Sequence, residues 1–233
     1  MIRLYFDLVY NPVYDMTTGR LSAYRRWQKY CIDKFHFEAG DSLLCVGIGT
    51  GNEIPYILDG NREVNIAGVD TSEQALKRAY EKGLKEGKEL RVFKMDAENL
   101  QYPVESFNKV LCLHVMDFVE DHGKATSEIL RVLREGGQFV ITYPSDKEGI
   151  RLAVNLYNES IRHNISSGKL IRVLPQLLVQ MGGGIFYLPL LFRAKQRSYS
   201  HQDLEAMFTA LKPADFQIEG YPLYNDFIVY GRK

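Results

Sequence analysis

The run Leu43-Leu44-Cys45-Val46-Gly47-Ile48-Gly49-Thr50-Gly51 constrains this chain more than any other stretch of it. An apolar segment that ends in three alternating glycines predicts a buried strand entering a tight turn without side-chain bulk, where a ligand can approach the backbone N–H groups ahead of the next helix. A second apolar run, Val64-Asn65-Ile66-Ala67-Gly68-Val69, ends in Asp70, about 20 residues on. An ionised carboxylate only accepts hydrogen bonds, which suits the vicinal hydroxyls of a ribose. Strand, glycine turn and acid together predict a nucleotide-like ligand at the carboxyl edge of an α/β sheet.

The rest of the chain agrees with that class. Short apolar runs alternate with longer segments of helical period, as a parallel sheet covered on both faces requires. Strands are expected near 42–47, 64–70, 90–95, 107–113 and 137–143. The first helix is expected to begin at Asn52 and to tolerate Pro55 in its first turn, where a missing donor does no harm. The second starts at Thr71 or Ser72 with Glu73 in its first turn, and the third runs from about Asp121 to Leu133. Near the end, 216–221 and 227–230 read as two strands joined by a turn over Pro222 to Asp226.

Composition excludes several classes. The 233 residues suffice for one α/β domain with an insertion, and the 45% hydrophobic and 25% charged fractions are ordinary for a globular protein. With 29 basic and 29 acidic residues and no long basic run, the chain lacks an extended footprint for nucleic acid. Cys31, Cys45 and Cys112 suit reduced, buried thiols rather than a disulfide framework, and their spacing suggests no metal site. Neither a signal peptide nor a run of apolar residues long enough to span a membrane is legible, so the cytoplasm is the expected compartment. Peripheral membrane contact and oligomeric state stay open.

The spacing of the glycines selects among nucleotides. A dinucleotide fingerprint, G-x-G-x-x-G/A, needs Gly or Ala at position 52, where this chain has Asn52, and that argues against NAD. The spacing G-x-G-x-G after a strand instead resembles the first motif of the class I S-adenosylmethionine-dependent methyltransferases. Further motifs carry the resemblance across roughly 40–145 and the last thirty residues. Val64 to Asp70 matches the second strand and Leu90 to Glu98 the third, with Asp96 at its end. Phe107 to His114 matches the fourth, and Leu133 to Ile141 the turn into the fifth. One position departs: two residues before the first glycine, where the family usually carries Asp or Glu, stands Cys45, a residue that also reads as a small buried hydrophobe.

The resemblance implies a Rossmann-like, doubly wound, mostly parallel seven-stranded sheet closed by an antiparallel hairpin. It implies one methyltransferase domain over 1–233, divided into an N-terminal helical cap (1–40), a cofactor-binding core (41–145), a helical lid insertion (146–197) and a C-terminal helix and hairpin (198–233). S-adenosyl-L-methionine would be the cofactor and S-adenosyl-L-homocysteine its product, held by Tyr14, Val46, Gly47, Gly49, Gly51, Asp70, Thr71, Asp96, Ala97 and Leu113. Tyr10 to Asp15, with Ser22 and Arg25-Arg26-Trp27, is similar to the start of quinone and phospholipid N-methyltransferases. That similarity implies a small, hydrophobic acceptor such as a quinone-like ring or a lipid amine. A noncatalytic module that binds the cofactor or its product is the alternative.

Methyl transfer from a sulfonium needs mainly alignment, and a general base where the acceptor carries an acidic proton. His114, at the end of the fourth strand, and Tyr143, at the end of the fifth, are the candidates, with Asp117 beside them and His201 and Tyr14 further off. His114 also reads as a packing residue. Asp117, Glu120, Asp121 and His122 gather at a helix start, where acids favour the dipole, so capping rather than metal binding is expected of them. Within the insertion, Leu170, Val173, Leu174, Leu177, Leu178 and Met181 fall on one helical face, interrupted by Pro175, and the apolar run Ile185 to Phe192 is a pocket wall, a contact surface or core.

Overall fold

The computed structural model describes residues 15, 21–145, 158–159, 161–162, 165–166, 198–221 and 224–233. Tyr14, the helical face over 170–181, the apolar run 185–192 and nearly all of the expected lid lie outside them. Among the described residues these elements follow one another: α1 (Ser22–Ile32), β1 (Ser42–Val46), α2 (Ile54–Ile57), β2 (Asn65–Asp70), α3 (Glu73–Lys85), β3 (Arg91–Lys94), β4 (Phe107–Cys112), α4 (His122–Val132), β5 (Leu133–Pro144), α5 (His201–Leu211), β6 (Asp215–Tyr221) and β7 (Tyr224–Arg232).

The strands form one seven-stranded sheet in the order β3-β2-β1-β4-β5-β7-β6. Neighbours from β3 to β5 run parallel, and β7 pairs antiparallel with both β5 and β6. The order reverses between β1 and β4, and in such sheets the crevice at that switch, beyond the strand carboxyl ends, is where ligands bind.

Alternation along β1 shows how the sheet is covered on both faces. Leu43 and Cys45 join a cluster with Tyr24, Trp27 and Cys31 of α1, Ile54 and Ile57 of α2 and Leu76 and Ala79 of α3. Leu44 and Val46 point the other way, into a cluster with Ile129 and Leu130 of α4 and Leu204 and Phe208 of α5. The three thiols are buried and free, as expected. Among the described residues no helix is long and apolar enough to cross a membrane.

Helix starts follow local chemistry. The Ser72 hydroxyl accepts the Ala75 N–H at the head of α3, Asp121 accepts the Lys124 N–H at the head of α4, and Ser200 and Asp203 form a reciprocal capping box on α5. The α2 boundary differs from expectation. That helix begins at Ile54 with Glu53 in the cap position, while the Asn52 side chain accepts a hydrogen bond from Lys82. A cation on the neighbouring helix has captured the side chain that local propensity assigned to capping. The fifth strand also starts earlier, at Leu133, because Leu133 already pairs with Phe107 ahead of a register shift. In the hairpin β7 extends back to Tyr224, which moves Asp226 from the expected turn into the ladder opposite Pro144.

Candidate functional site

A cavity of about 710 Å³ opens beyond the carboxyl ends of β1, β2 and β4, within the range typical of small-molecule sites. Val46, Gly47, Gly49, Asp70, Thr71, Asp96, Ala97, Leu113 and His114, all named from sequence, line it. Gly47 and Gly49 both have positive φ, +65° and +53°. A Cβ at Gly47 would stand 2.1 Å from Val115 Cγ2, whereas one at Gly49 would meet only the Gly47 carbonyl oxygen at 3.9 Å. The first glycine admits a neighbouring loop, and the second leaves the middle of the turn open to a ligand. Gly51 is not part of the wall. A Cβ there would press on Ile54 and on the Ala79 backbone, so its bareness lets α3 pack against the loop.

Asp70 holds this turn in shape. One carboxylate oxygen accepts the Gly49 N–H at 2.9 Å and the other the Ser72 N–H at 2.9 Å, and the residue lines the cavity. Asp15 secures the loop from the far side: its carboxylate accepts the Thr50 hydroxyl at 2.6 Å and the Lys82 ammonium at 2.9 Å. Asp96 accepts the Glu98 N–H, and the Glu98 carboxylate accepts the amides of Glu120 and Asp121, which ties the ends of β3 and β4 together across the mouth.

His114 sits in the left-handed region at φ +59°, a conformation that costs about 1–3 kcal/mol in a non-glycine residue and persists only where its surroundings enforce it. Its N–H donates to Thr142 Oγ1 at 2.9 Å, and its ring stacks on Trp27 with centroids 4.4 Å apart. The ring Nδ1 lies 3.0 Å from the Asp226 carboxylate and 3.9 Å from that of Asp117. Ligand atoms of these three side chains fall within 4.8 Å of one another, a clustering that the sequence reading did not anticipate. Because an ionised carboxylate only accepts, Nδ1 is the donor toward Asp226, and Nε2 is buried.

Tyr143 lies elsewhere. It is fully buried in the core on the α4 and α5 face, its hydroxyl shares a hydrogen bond with Thr126 at 2.6 Å, and burial drives its pKa well above the usual range. It takes no part in the cavity wall, and neither does the exposed His201 at the head of α5. Strand alternation explains the difference: position 143 falls on the face opposite Val140 and toward Phe208. His122, another residue of the acidic run, is engaged with the Tyr199 hydroxyl.

Several site residues escaped the sequence reading. Asp226 is only 3% exposed and reaches His114 from β7. Its register with Ile228 and Tyr230, two and four residues on, places it on the α1 face, a signal visible once β7 is extended to include it. Tyr24 and Gln28 of α1 and Glu53 ahead of α2 also line the cavity. Glu53 is 8% exposed, and its carboxyl is pushed up to about 7 by burial, with Asp70 and Asp15 adding to the rise against its own backbone N–H and Lys82. Cys45 is buried, and its thiol is raised by burial and by Glu53.

Residues 44–141 match the family described as "Methyltransferase domain". A phosphatidylethanolamine N-methyltransferase from Cereibacter sphaeroides is 36% identical over 134 residues, 55% of this chain and 62% of that protein. A demethylmenaquinone methyltransferase from Thermus thermophilus is 27% identical over 154 residues, 64% of this chain and 70% of that one. Among solved structures, an S-adenosylmethionine-dependent methyltransferase from Thermotoga maritima superposes with a TM-score of 0.61 at 19% identity, covering 100% of this chain and 99% of the other. That likeness speaks for the fold. The aligned region spans about three fifths of the Cereibacter protein, 62% of its length.

Proposed function

We propose that the chain is a class I S-adenosylmethionine-dependent methyltransferase, in keeping with the domain match over residues 44–141, that it binds S-adenosylmethionine in the cavity beyond β1, β2 and β4, and that it methylates a small acceptor bearing an apolar body. The observation that carries this reading is the open glycine turn with Asp70 at its side. A bare backbone and an acceptor-only carboxylate are the donor set that an adenosyl group with a ribose diol requires. Bound there, the cofactor supplies an activated methyl group, and its sulfur keeps the electron pair of the broken C–S bond, leaving S-adenosylhomocysteine.

The chain's own residues align the partners and move a proton. Asp70 takes the ribose hydroxyls, and Asp96 with Ala97 meets the adenine edge. Thr71, Val46 and Leu113 supply walls. His114, held by Asp226 and stacked on Trp27, lines the cavity as the group that takes the proton the acceptor loses as its new bond to the methyl carbon forms. Val115, Phe118 and Val119 give the cavity an apolar lining, which suits ligands of the kind the relatives' names specify, phosphatidylethanolamine and demethylmenaquinone. Buried free thiols accord with a reducing compartment, and we assign the reaction to the cytoplasm.

Calorimetry with S-adenosylhomocysteine and with NAD tests the cofactor, and saturable binding of the first alone is expected. Transfer of labelled methyl to vesicles containing phosphatidylethanolamine or to a demethylated quinone tests the acceptor. His114→Ala should keep S-adenosylhomocysteine affinity within about threefold while turnover falls by about 10²–10⁴. Tight binding with no label moved to any acceptor would instead make the protein a noncatalytic binding module.

A further inference from the structure

We propose that Glu53 is the carboxylate that receives the α-ammonium of the cofactor's methionyl group. The inference rests on the cofactor reading above and adds a residue that no motif of that reading contains.

Glu53 lines the cavity and is 8% exposed, in the cap position of α2 just beyond the glycine turn. Among the described residues no salt bridge includes it. The cation acting on it, Lys82, is committed elsewhere, donating to Asp15, Asn52 and Thr50. Its other charged neighbours are acids, Asp70 at the end of β2 and Asp15 from the N-terminal segment. The titratable group facing it from β1 is Cys45, a buried thiol that contributes no cation. A buried carboxylate among acids is unfavourable unless a positive group joins it, and this one borders the cavity.

Position within the cavity decides which positive group. Asp70 and Asp96 mark the ribose and adenine ends, at β2 and β3. Glu53 follows the glycine turn two residues after Gly51, and Thr50, Asn52 and the α1 residues Tyr24 and Gln28 line the same cavity. A ligand laid along the turn therefore brings its amino-acid end, rather than its base, to Glu53. With its carboxyl pushed up to about 7 by burial, Glu53 is partly protonated at neutral pH before the ammonium arrives. Pairing favours the charged form, so binding expels a fraction of a proton and affinity rises between pH 6 and pH 8.

The test uses the full chain, with S-adenosylhomocysteine and methylthioadenosine as probes, because the second lacks the amino-acid end. Glu53→Gln should weaken S-adenosylhomocysteine about tenfold or more, the scale of a lost charged hydrogen bond, and leave methylthioadenosine unchanged. Calorimetry in two buffers of different ionisation heat should show proton release on S-adenosylhomocysteine binding to the wild type near pH 7 and none with the variant. Unchanged S-adenosylhomocysteine affinity in Glu53→Gln overturns the assignment, as does an equal loss for both probes. A wild type that binds neither probe refutes the cofactor reading itself, a result distinct from either.

Discussion

Replacing Asp70 removes two things at once, and the structure separates them. Its carboxylate accepts the Gly49 and Ser72 N–H groups at 2.9 Å each, and the residue lines the cavity. For the ligand, a charged hydrogen bond to a hydroxyl contributes about 1.5–3 kcal/mol, so Asp70→Ala should weaken S-adenosylhomocysteine by roughly 10- to 150-fold at 1.4 kcal/mol per decade. For the fold, two amides lose their acceptor at a partly buried turn, which should lower stability by about 1–3 kcal/mol and the melting temperature by roughly 2–4 °C per kcal/mol in a chain of this size. Asp70→Asn is the informative companion. An amide offers one oxygen, so its NH₂ must face either Gly49 or Ser72, donor against donor, and asparagine should rescue neither property fully despite its matching shape. Titration calorimetry and thermal unfolding of both variants measure the two terms. Binding of S-adenosylhomocysteine by Asp70→Ala within about threefold of the wild type would refute the ribose assignment, because no charged hydrogen bond is that weak.

Other expectations follow from individual contacts. Gly47→Ala should destabilise the chain through the 2.1 Å approach to Val115 Cγ2 and the φ of +65°. Adding Val115→Ala should restore the steric part and leave a residual of about 1 kcal/mol from the backbone, read from urea midpoints. Asp41→Asn breaks a buried pair with Lys109 at 3.1 Å and should cost about 3–5 kcal/mol in denaturant unfolding, since the lysine is left without its counter-charge. Glu219 has a depressed pKa: burial alone would raise it, but hydrogen bonds from Lys34, Tyr230 and Tyr30 prevail. A carboxylate lowered in the folded state stabilises above its unfolded pKa and loses that contribution as pH falls through the folded value. The stability difference between wild type and Glu219→Gln should therefore be full at pH 7 and shrink on acidification below about pH 4, measured by urea midpoints at each pH.

The chain's own order of residues determined the parallel sheet, the glycine turn and much of the cavity wall, because these depend on local chemistry. Apolar runs of strand length, glycines where φ must be positive and Ser72 or Asp121 at helix starts act within a few residues of themselves. Contacts between distant segments were decided by the tertiary structure alone. Asp226 reaches His114 across 112 positions of sequence because β7 inserts antiparallel beside β5, and no spacing rule encodes that insertion. The same alternation that gives Asp226 its place sends Tyr143 into the opposite core, although both lie at the ends of neighbouring strands. Glu53 belongs to no sequence motif, and only its burial beside the cavity makes its charge expensive. Which side chains share a cavity depends on how sheet faces are covered, and that is settled by packing over the whole molecule rather than by any one stretch of it.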